Sequence, residues 1–492
     1  MSFFIKGKKR GRGGSAPRGR KRKIGGTVFG KPQNGRNVGQ GNEEVSSESE
    51  NEGGQVQTKV SEEPELQETA QEKRLRLTKL YLEQLRKEEE EKAENDDVHK
   101  DAVADRLQEH LMEQRGCLKR LVAKEIHQPD PSSLRLLRGH KLAVTCLVIT
   151  PADTHIISGS KDGAIVKWNV QSGKKVCTIA GLKKGDTTRA GHHTQVLCMA
   201  ISSDGKYLVS GDKAHLIQLW DAETCRHLHM FKGHKDAISG LSFRKGTHQL
   251  YSASHDRSVK VWNVNEMAYV ETLFGHQDAI TGLDSLSRER CVTSGGRDGT
   301  LRVWKILEES QLVFQAPRVS IDCVQLINEM YMVSGDDDGS LMLWNVQKKK
   351  PLVTVPHVHG SIKGEAGQMR WVTSVAALLN SDLIASGSYD GFLRLWKCGD
   401  FFKSLVPILE IELAGFINAL KFSSDGKFLV AGVGQEHRLG RWWRHKDAKN
   451  GVFIIPLPRE LPQTRADGDE ARESDSHNLP NASRLDEDAL VK

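Results

Sequence analysis

Seven tryptophans divide most of this chain into a repeat. Trp168, Trp220, Trp262, Trp304, Trp344, Trp396 and Trp442 follow one another at intervals of 52, 42, 42, 40, 52 and 46 residues. A Gly-His pair precedes each of the first four at a fixed distance: Gly139, Gly191, Gly233 and Gly275 each stand 29 residues ahead of their tryptophan. Between these markers lie short Val/Ile/Leu/Thr-rich runs cut by Asp-Gly, Ser-Gly and Lys-Gly turns, which is the pattern of strands rather than helices. A period near forty with Gly-His and Trp corresponds to a β-propeller with four strands per blade.

The expected architecture is an all-β, seven-bladed WD40-type β-propeller over residues 131–458, with a helical N-terminal extension and disordered termini. In blades of this type a Ser or Thr ten residues before the Trp and an Asp six before it form a hydrogen-bonded chain with the His and the indole N–H. Ser158, Asp162 and Trp168 fit with His140; Ser252, Asp256 and Trp262 with His234; Ser294, Asp298 and Trp304 with His276. Ser334/Asp338/Trp344 and Ser386/Asp390/Trp396 keep Ser and Asp but lack Gly-His. Blade two has His192, Ser210 and Trp220 but Ala214 in place of the Asp. A buried indole donor and imidazole need partners, and a satisfied network stiffens its blade. A hydrolase triad would occur once. These His/Ser/Asp sets recur, which marks them as scaffolding.

Two intervals are about ten residues too long, the excess falling at Leu182–Ala190 (with Lys183, Lys184 and Arg189) and around Val358–Met369. These become rim loops, used for recognition or simply tolerated. Leu134–Leu137 is placed to supply the outer strand of blade seven, with Val452–Leu457 a competing or additional candidate.

Before the propeller, residues 68–130 read as helical. Leu75, Leu77, Leu80, Tyr81, Leu82 and Leu85 share one face of a helix spanning Glu68–Ala93, and a second helical stretch carries Val103, Leu107, Leu111, Leu118 and Leu121 up to Pro129 and Pro131. The first helix either binds a partner or packs on its own propeller. Residues 1–67 form an arm, basic and then acidic. Residues 1–42 hold twelve Lys/Arg and no Asp/Glu, and residues 43–72 hold ten Asp/Glu against Lys59. Residues 459–492 form an acidic tail. Such blocks stay solvated unless a partner neutralises them.

No run of apolar residues is long enough for a transmembrane helix, and the N-terminus turns basic at Lys6 without an apolar core, so no secretory signal is expected. The eight cysteines stand singly with no C-x-x-C pair and read as reduced thiols rather than disulfides or a metal site. On that reading Asn481-Ala482-Ser483 is a chance glycosylation match. No nucleotide loop, metal-ligand spacing, cofactor motif or activated nucleophile is legible, so the chain is expected not to be an enzyme and to act through its surfaces.

Blade seven departs from the others. It lacks the Ser and Asp and gains His437, Arg438, Arg441, Arg444 and the tandem Trp442-Trp443. Arginines beside aromatics suit phosphates and exposed bases. On this basis His437, Arg438, Arg441, Arg444 and Trp443 are candidate RNA contacts, with Trp442 as the blade tryptophan. The bland alternative leaves the arginines as rim charges. Lys6, Lys8, Lys9 and Arg10, followed by Arg18, Arg20, Lys21, Arg22 and Lys23, have the spacing of a bipartite nuclear import signal. Ser46, Ser47 and Ser49 sit among glutamates as acidic-directed phosphorylation sites.

Over roughly Glu68 to Leu457 the chain resembles the WD40 protein family of the U3 small nucleolar ribonucleoprotein. Glu68–Lys73, Leu80–Arg86, Leu121–Ile126 and His255–Trp262 carry the likeness. The specific part is Gly434-Gln435-Glu436-His437-Arg438-Leu439-Gly440-Arg441-Trp442-Trp443, which the general repeat does not require. The resemblance implies a nucleolar subunit that binds the box B/C region of U3 small nucleolar RNA together with a small kink-turn-binding protein. It further implies association with box C/D core and small-subunit processome proteins, and a role in processing precursor rRNA to 18S rRNA. Two other classes compete. A ubiquitin-ligase substrate receptor would favour Trp-Asp-x-Arg, but only Trp220 is followed by Asp, and Ala222 and Glu223 come next. A chromatin reader needs an aromatic cage at the channel mouth, and the Tyr and Phe residues do not cluster at blade turns.

Overall fold

The computed structural model describes residues 70–92, 106–109, 111–112, 115–116, 118–183, 190–317, 320–361 and 369–459. The arm 1–67 with its import and serine sites, and the tail beyond 459, lie outside the described residues. Seven four-stranded antiparallel sheets are present, each built from strands consecutive in sequence except one. That exception closes the ring. Its inner three strands are Phe416–Phe422, Phe428–Gly434 and Gly451–Pro456, and its outer strand is Arg135–Leu137 from the other end of the domain. Arg135, Leu136 and Leu137 pair with Ile454, Phe453 and Val452. Leu134–Leu137 therefore supplies the outer strand, as the sequence suggested, whereas Val452–Leu457 falls in the third strand.

Burial follows strand position. The innermost strand of blade one, Val144–Ile149, is buried along nearly its whole length, while the outermost, Lys175–Ile179, is largely exposed. Each blade indole packs against the preceding blade. Trp168 clusters with Val430, Val452 and Ile454 of blade seven, and Trp220 with Ile157 and Ile165 of blade one. Truncation of such a residue typically costs about 3–5 kcal/mol. The glycine of Gly-His is set by the same packing: a Cβ on Gly139 or Gly275 would lie 2.7 or 3.0 Å from the indole edge of Trp168 or Trp304.

The hydrogen-bonded chain forms in several blades, with corrections in most of them. In blade three it is complete: Trp262 donates to Ser252 Oγ at 2.8 Å, His234 Nε2 meets the same oxygen at 2.7 Å, and His234 Nδ1 meets Asp256 at 2.9 Å. In blade four the hydroxyl is Thr293, not Ser294. Trp304 and His276 reach Thr293 Oγ1 at 2.8 and 2.7 Å, and Asp298 holds His276 at 2.7 Å. One extra residue in the turn containing Gly295-Gly296 shifts the register, so Cys291 pairs Trp304 and Ser294 bonds Thr281 instead.

In blade two the missing aspartate is replaced from the strand. Asp212 holds His192 Nδ1 at 3.0 Å, and Ser210 joins His192 to Trp220 at 2.6 and 2.8 Å. In blade one His140 and Trp168 meet at Ser158 (2.7 and 2.9 Å), but Asp162 stands 4.0 Å from His140 Nδ1. Burial, opposed by Asp162 and assisted by Lys175, lowers the His140 pKa to about 4. Blade six does have its histidine. His359 reaches Asp390 at 2.9 Å and Ser386 at 3.0 Å, and Ser386 accepts from Trp396 at 3.0 Å. The long insertion follows His359 instead of preceding it, which hid it from a fixed-offset search.

Blade five retains only Ser334 and Trp344, bonded at 2.9 Å. Asp338 is exposed and holds no histidine, because buried Ala316 stands at the corresponding offset from the tryptophan. Asp336 is buried there with one oxygen lacking a partner among the described residues. Burial, reinforced by Asp337, Asp338 and Asp322 against the Ser340 amide, pushes its carboxyl up to about 7. Blade seven has no indole at its blade position. Leu429 pairs Ile455 as Ile156 pairs Trp168, so fully buried Ile455 stands there, and Ala431 takes the Ser position. Trp442 is 60% exposed in the loop beyond.

The N-terminal extension also differs in part from expectation. Ala70–Lys92 is helical, with Leu80, Tyr81 and Leu82 exposed. Residues 106–109, 111–112 and 115 are helical too, but from Leu118 the chain leaves the helix, with single bridges at Arg120 and Ile126 and a turn at 123–125 between them. Leu118, Val122, Ala123 and Ile126 are buried, a spacing that imitates a helix. Amides of this stretch bond the propeller. Arg120 N reaches Asn380 O at 2.8 Å, and Val122 N and Ala123 N reach Asp382 Oδ1 at 2.8 and 3.0 Å. This strap packs against Leu378, Leu383 and Leu457, across blades six and seven.

Two measurements test these assignments. Asp212→Ala should lower the unfolding free energy by about 1–3 kcal/mol, since it strands the buried His192 Nδ1. Asp338→Ala should change it by no more than about 0.5 kcal/mol. Equal effects in denaturant titrations would remove the revised blade network. The raised Asp336 carboxyl keeps a proton on folding that the unfolded chain has released, so between pH 4 and about 7 it makes stability fall as pH rises. Relative to the parent, Asp336→Asn should gain thermal midpoint across that window and level off above it.

Candidate nucleic-acid interface

In blade one the second and third strands are joined by residues 161–164; in blade seven the same connection is 435–450. A Cβ on Gly434 would lie 2.4 Å from that of Ala143, so glycine is required where the chain leaves the sheet. Buried Asn418 anchors the outgoing arm of this loop. Its amide donates to Glu436 O at 3.0 Å and Val144 O at 2.8 Å, and its Oδ1 accepts from Arg438 N at 2.9 Å. The returning arm is tied by Gln435, which receives from His445 N and donates through Nε2 to Ala448 O at 2.8 Å.

The loop places the sequence candidates at different depths. His437 is buried beneath Trp442, ring centroids 5.3 Å apart, and burial with the nearby Arg438 and Lys161 charges lowers its pKa to about 3. It is a neutral support rather than a cationic contact. Arg438 turns into the axial channel, where its Nη2 meets Asp322 O at 3.3 Å and its buried Nε has no partner among the described residues. Arg441 is exposed and pairs with Glu436 at 2.5 Å, while Lys161 approaches the same carboxylate at 3.5 Å. Burial disfavours ionisation of Glu436, but the Arg441 hydrogen bond and the two cations outweigh it and hold its pKa below the usual range. Exposed Arg444 is oriented by two bonds to Gln435 Oε1 at 3.2 and 2.9 Å.

Trp443 is 46% exposed and stacks on Tyr389, centroids 5.7 Å apart at 14°, with Trp371 at 5.3 Å and 32°. An aromatic cluster therefore does stand at the channel mouth. It is built mainly from Trp and His, with Tyr389 and Phe416 beneath, so the count of Tyr and Phe alone missed it.

Around the mouth, the turns between second and third strands present Lys161, Lys213, His255, Arg297, Asp337 and Tyr389 from blades one to six. Four consecutive blades thus contribute Lys, Lys, His and Arg, of which Lys213 and Arg297 are exposed. This ring, like Trp371 and Asp322, was not singled out from sequence. Its signal was available at the residue before the turn position that holds Asp162, Ala214, Asp256 and Asp298 in blades one to four. Asp322, beneath Arg438, has its carboxyl pushed up to about 6 by burial, against the Arg438 charge. Exposed arginines, paired but reachable, and flat indoles beside a basic rim suit phosphates and bases. Among the described residues no His/Cys/Asp/Glu group could hold a metal ion, and the cysteines are free.

The WD domain, G-beta repeat family matches residues 131–169, 185–221, 225–263, 267–305 and 360–397. The unmatched blades are five and seven, whose networks are incomplete. Human U3 small nucleolar RNA-interacting protein 2 is 61% identical over 406 residues, covering 82% of this chain and 85% of its own length. Saccharomyces cerevisiae ribosomal RNA-processing protein 9 is 27% identical over 541 residues, covering 84% and 94%. A solved structure described as RRP9 WD40 repeats is 61% identical, with a TM-score of 0.66, and covers 68% of this chain and 100% of that one.

The anchoring of the loop is open to test. Asn418→Ala removes three of its bonds, so amide exchange of Arg438 and its neighbours should accelerate well beyond that of blades two to four. Unchanged protection would mean that the loop is held by other contacts.

Proposed function

This chain belongs to the WD-repeat family of U3 small nucleolar RNA-interacting proteins, and on that premise we propose that it is an RNA-binding, non-catalytic subunit of the U3 small nucleolar ribonucleoprotein acting in ribosomal RNA processing. The named relatives support this reading through their identity over most of the chain. The observation that carries it is the blade-seven loop, which sets Arg441, Arg444 and Trp443 beside a mouth rimmed with basic side chains. The RNA segment proposed is the U3 box B/C region, bound together with the small kink-turn-binding protein. The wider setting is the box C/D core and small-subunit processome proteins in the nucleolus. Import is assigned to Lys8, Lys9, Arg10, Arg20, Lys21, Arg22 and Lys23.

Binding of box B/C RNA should require the kink-turn protein and weaken steeply with salt. In the double variant Arg441→Ala plus Arg444→Ala, each lost phosphate contact should reduce the slope of log affinity against log salt by about 1. Undiminished binding with an unchanged slope would take the RNA off this loop.

A further inference from the structure

A cavity of about 650 Å³ opens at the centre of the face that carries the 435–450 loop. Its walls differ in kind. One is aromatic and flat: Trp443 and Trp371, with Trp442 at the edge. The six blade indoles are 0–4% exposed, whereas Trp442 and Trp443 remain 60% and 46% exposed. Nothing in propeller packing needs two indoles in solvent at this point. The floor is polar. Arg438 offers a buried Nε without a partner among the described residues, its Nη2 donates to the Asp322 backbone carbonyl, and Asp322 lines the same cavity. Thus a guanidinium and a carboxyl-bearing residue line one cavity with the stacking wall.

The charge around the cavity selects an anion over a cation. Lys213 and Arg297 stand exposed on the rim, Arg438 lies inside, and Arg441 and Arg444 flank the entrance. The opposing acids are Asp322, Asp337 and Glu436, and Glu436 is already shared between Lys161 and Arg441. A duplex is too broad to enter, and RNA sequence is generally read on bases splayed from the helix and stacked on aromatic side chains. The volume lies within the range of roughly 300–1,000 Å³ that holds small-molecule-sized ligands.

We propose that the channel mouth receives one unstacked nucleotide of the bound RNA, its base lying on Trp443 and Trp371 and its edge read by Arg438 and Asp322. The pairing of donors with a carboxylate selects guanine. Arg donates to the O6/N7 edge, and a carboxylate accepts from the N1 and N2 protons. The inference rests on the RNA-binding reading and deepens it: the loop arginines supply phosphate contacts, and the cavity supplies base recognition.

The test uses the full chain assembled with the kink-turn protein on box B/C RNA. Photo-crosslinking with peptide mapping and affinity measurements on Trp443→Ala and Trp443→Phe are read together, and thermal midpoints confirm that both variants are folded. The expected result is a nucleotide adduct within the cavity, about tenfold weaker binding for Trp443→Ala and substantial recovery with Trp443→Phe. Replacing the crosslinked guanine by adenine should reproduce the loss. Wild-type affinity in Trp443→Ala, with adducts confined to the rim, would overturn the nucleotide site while leaving RNA binding intact. Failure of the unaltered chain to bind the RNA would overturn both. Quenching of the mouth indoles by a trimethyl-lysine peptide, and not by the RNA, would assign the cavity to a protein ligand and likewise end the proposal.

Discussion

The ring depends on one shared sheet. Three strands from the end of the domain and one from its beginning make blade seven, and the pairing of Leu137 with Val452 leaves no open edge between first and last blades. Each blade then has a neighbour on both faces, and each indole has a preceding sheet to pack on. Without that pairing Val430, Val452 and Ile454 would lose the cover of Trp168 and Leu137, exposing apolar surface at both ends of the array. The strap from Leu118 to Ile126 reinforces the same region, bonding blade six with its backbone and packing its side chains on blades six and seven.

Architecture was legible because it is written in spacing. Gly-His and Trp recur where the backbone must admit an indole edge, and no other pattern accounts for four equal offsets. The errors arose where spacing is decoupled from geometry. A single extra turn residue moves the hydroxyl role from Ser294 to Thr293. Asp212 replaces an absent turn aspartate from an adjacent strand position. His359 sits ahead of an insertion and so falls outside a fixed window. Leu118 and Leu121 stand a helical interval apart, but only Leu118 is buried, and the amides of Arg120, Val122 and Ala123 bond to another segment. In each case the chemistry is preserved and the numbering is not.

The site was legible in outline. The composition of 434–444 announced a departure from scaffolding, and the structure assigns that departure a cause. Ile455 takes the buried position of the seventh indole, which leaves Trp442 and Trp443 in a loop of their own. Depth along this loop could not be read from sequence: His437 is buried and neutral, Arg438 enters the channel, and Arg441 and Arg444 stay outside. Trp371 and Tyr389 come from blade six and meet Trp443 only in three dimensions.

The strap makes its contacts at Asn380, Asp382 and Gly399, in the turns between first and second and between third and fourth strands of blade six. Ile126 also bridges Arg459 beside the end of blade seven. In an antiparallel blade these turns lie at the pole opposite the 435–450 loop. Both points where the chain enters and leaves the propeller therefore occupy the rear. The backbone of the propeller thus begins and ends at one pole and carries its aromatic and arginine-bearing loop at the other.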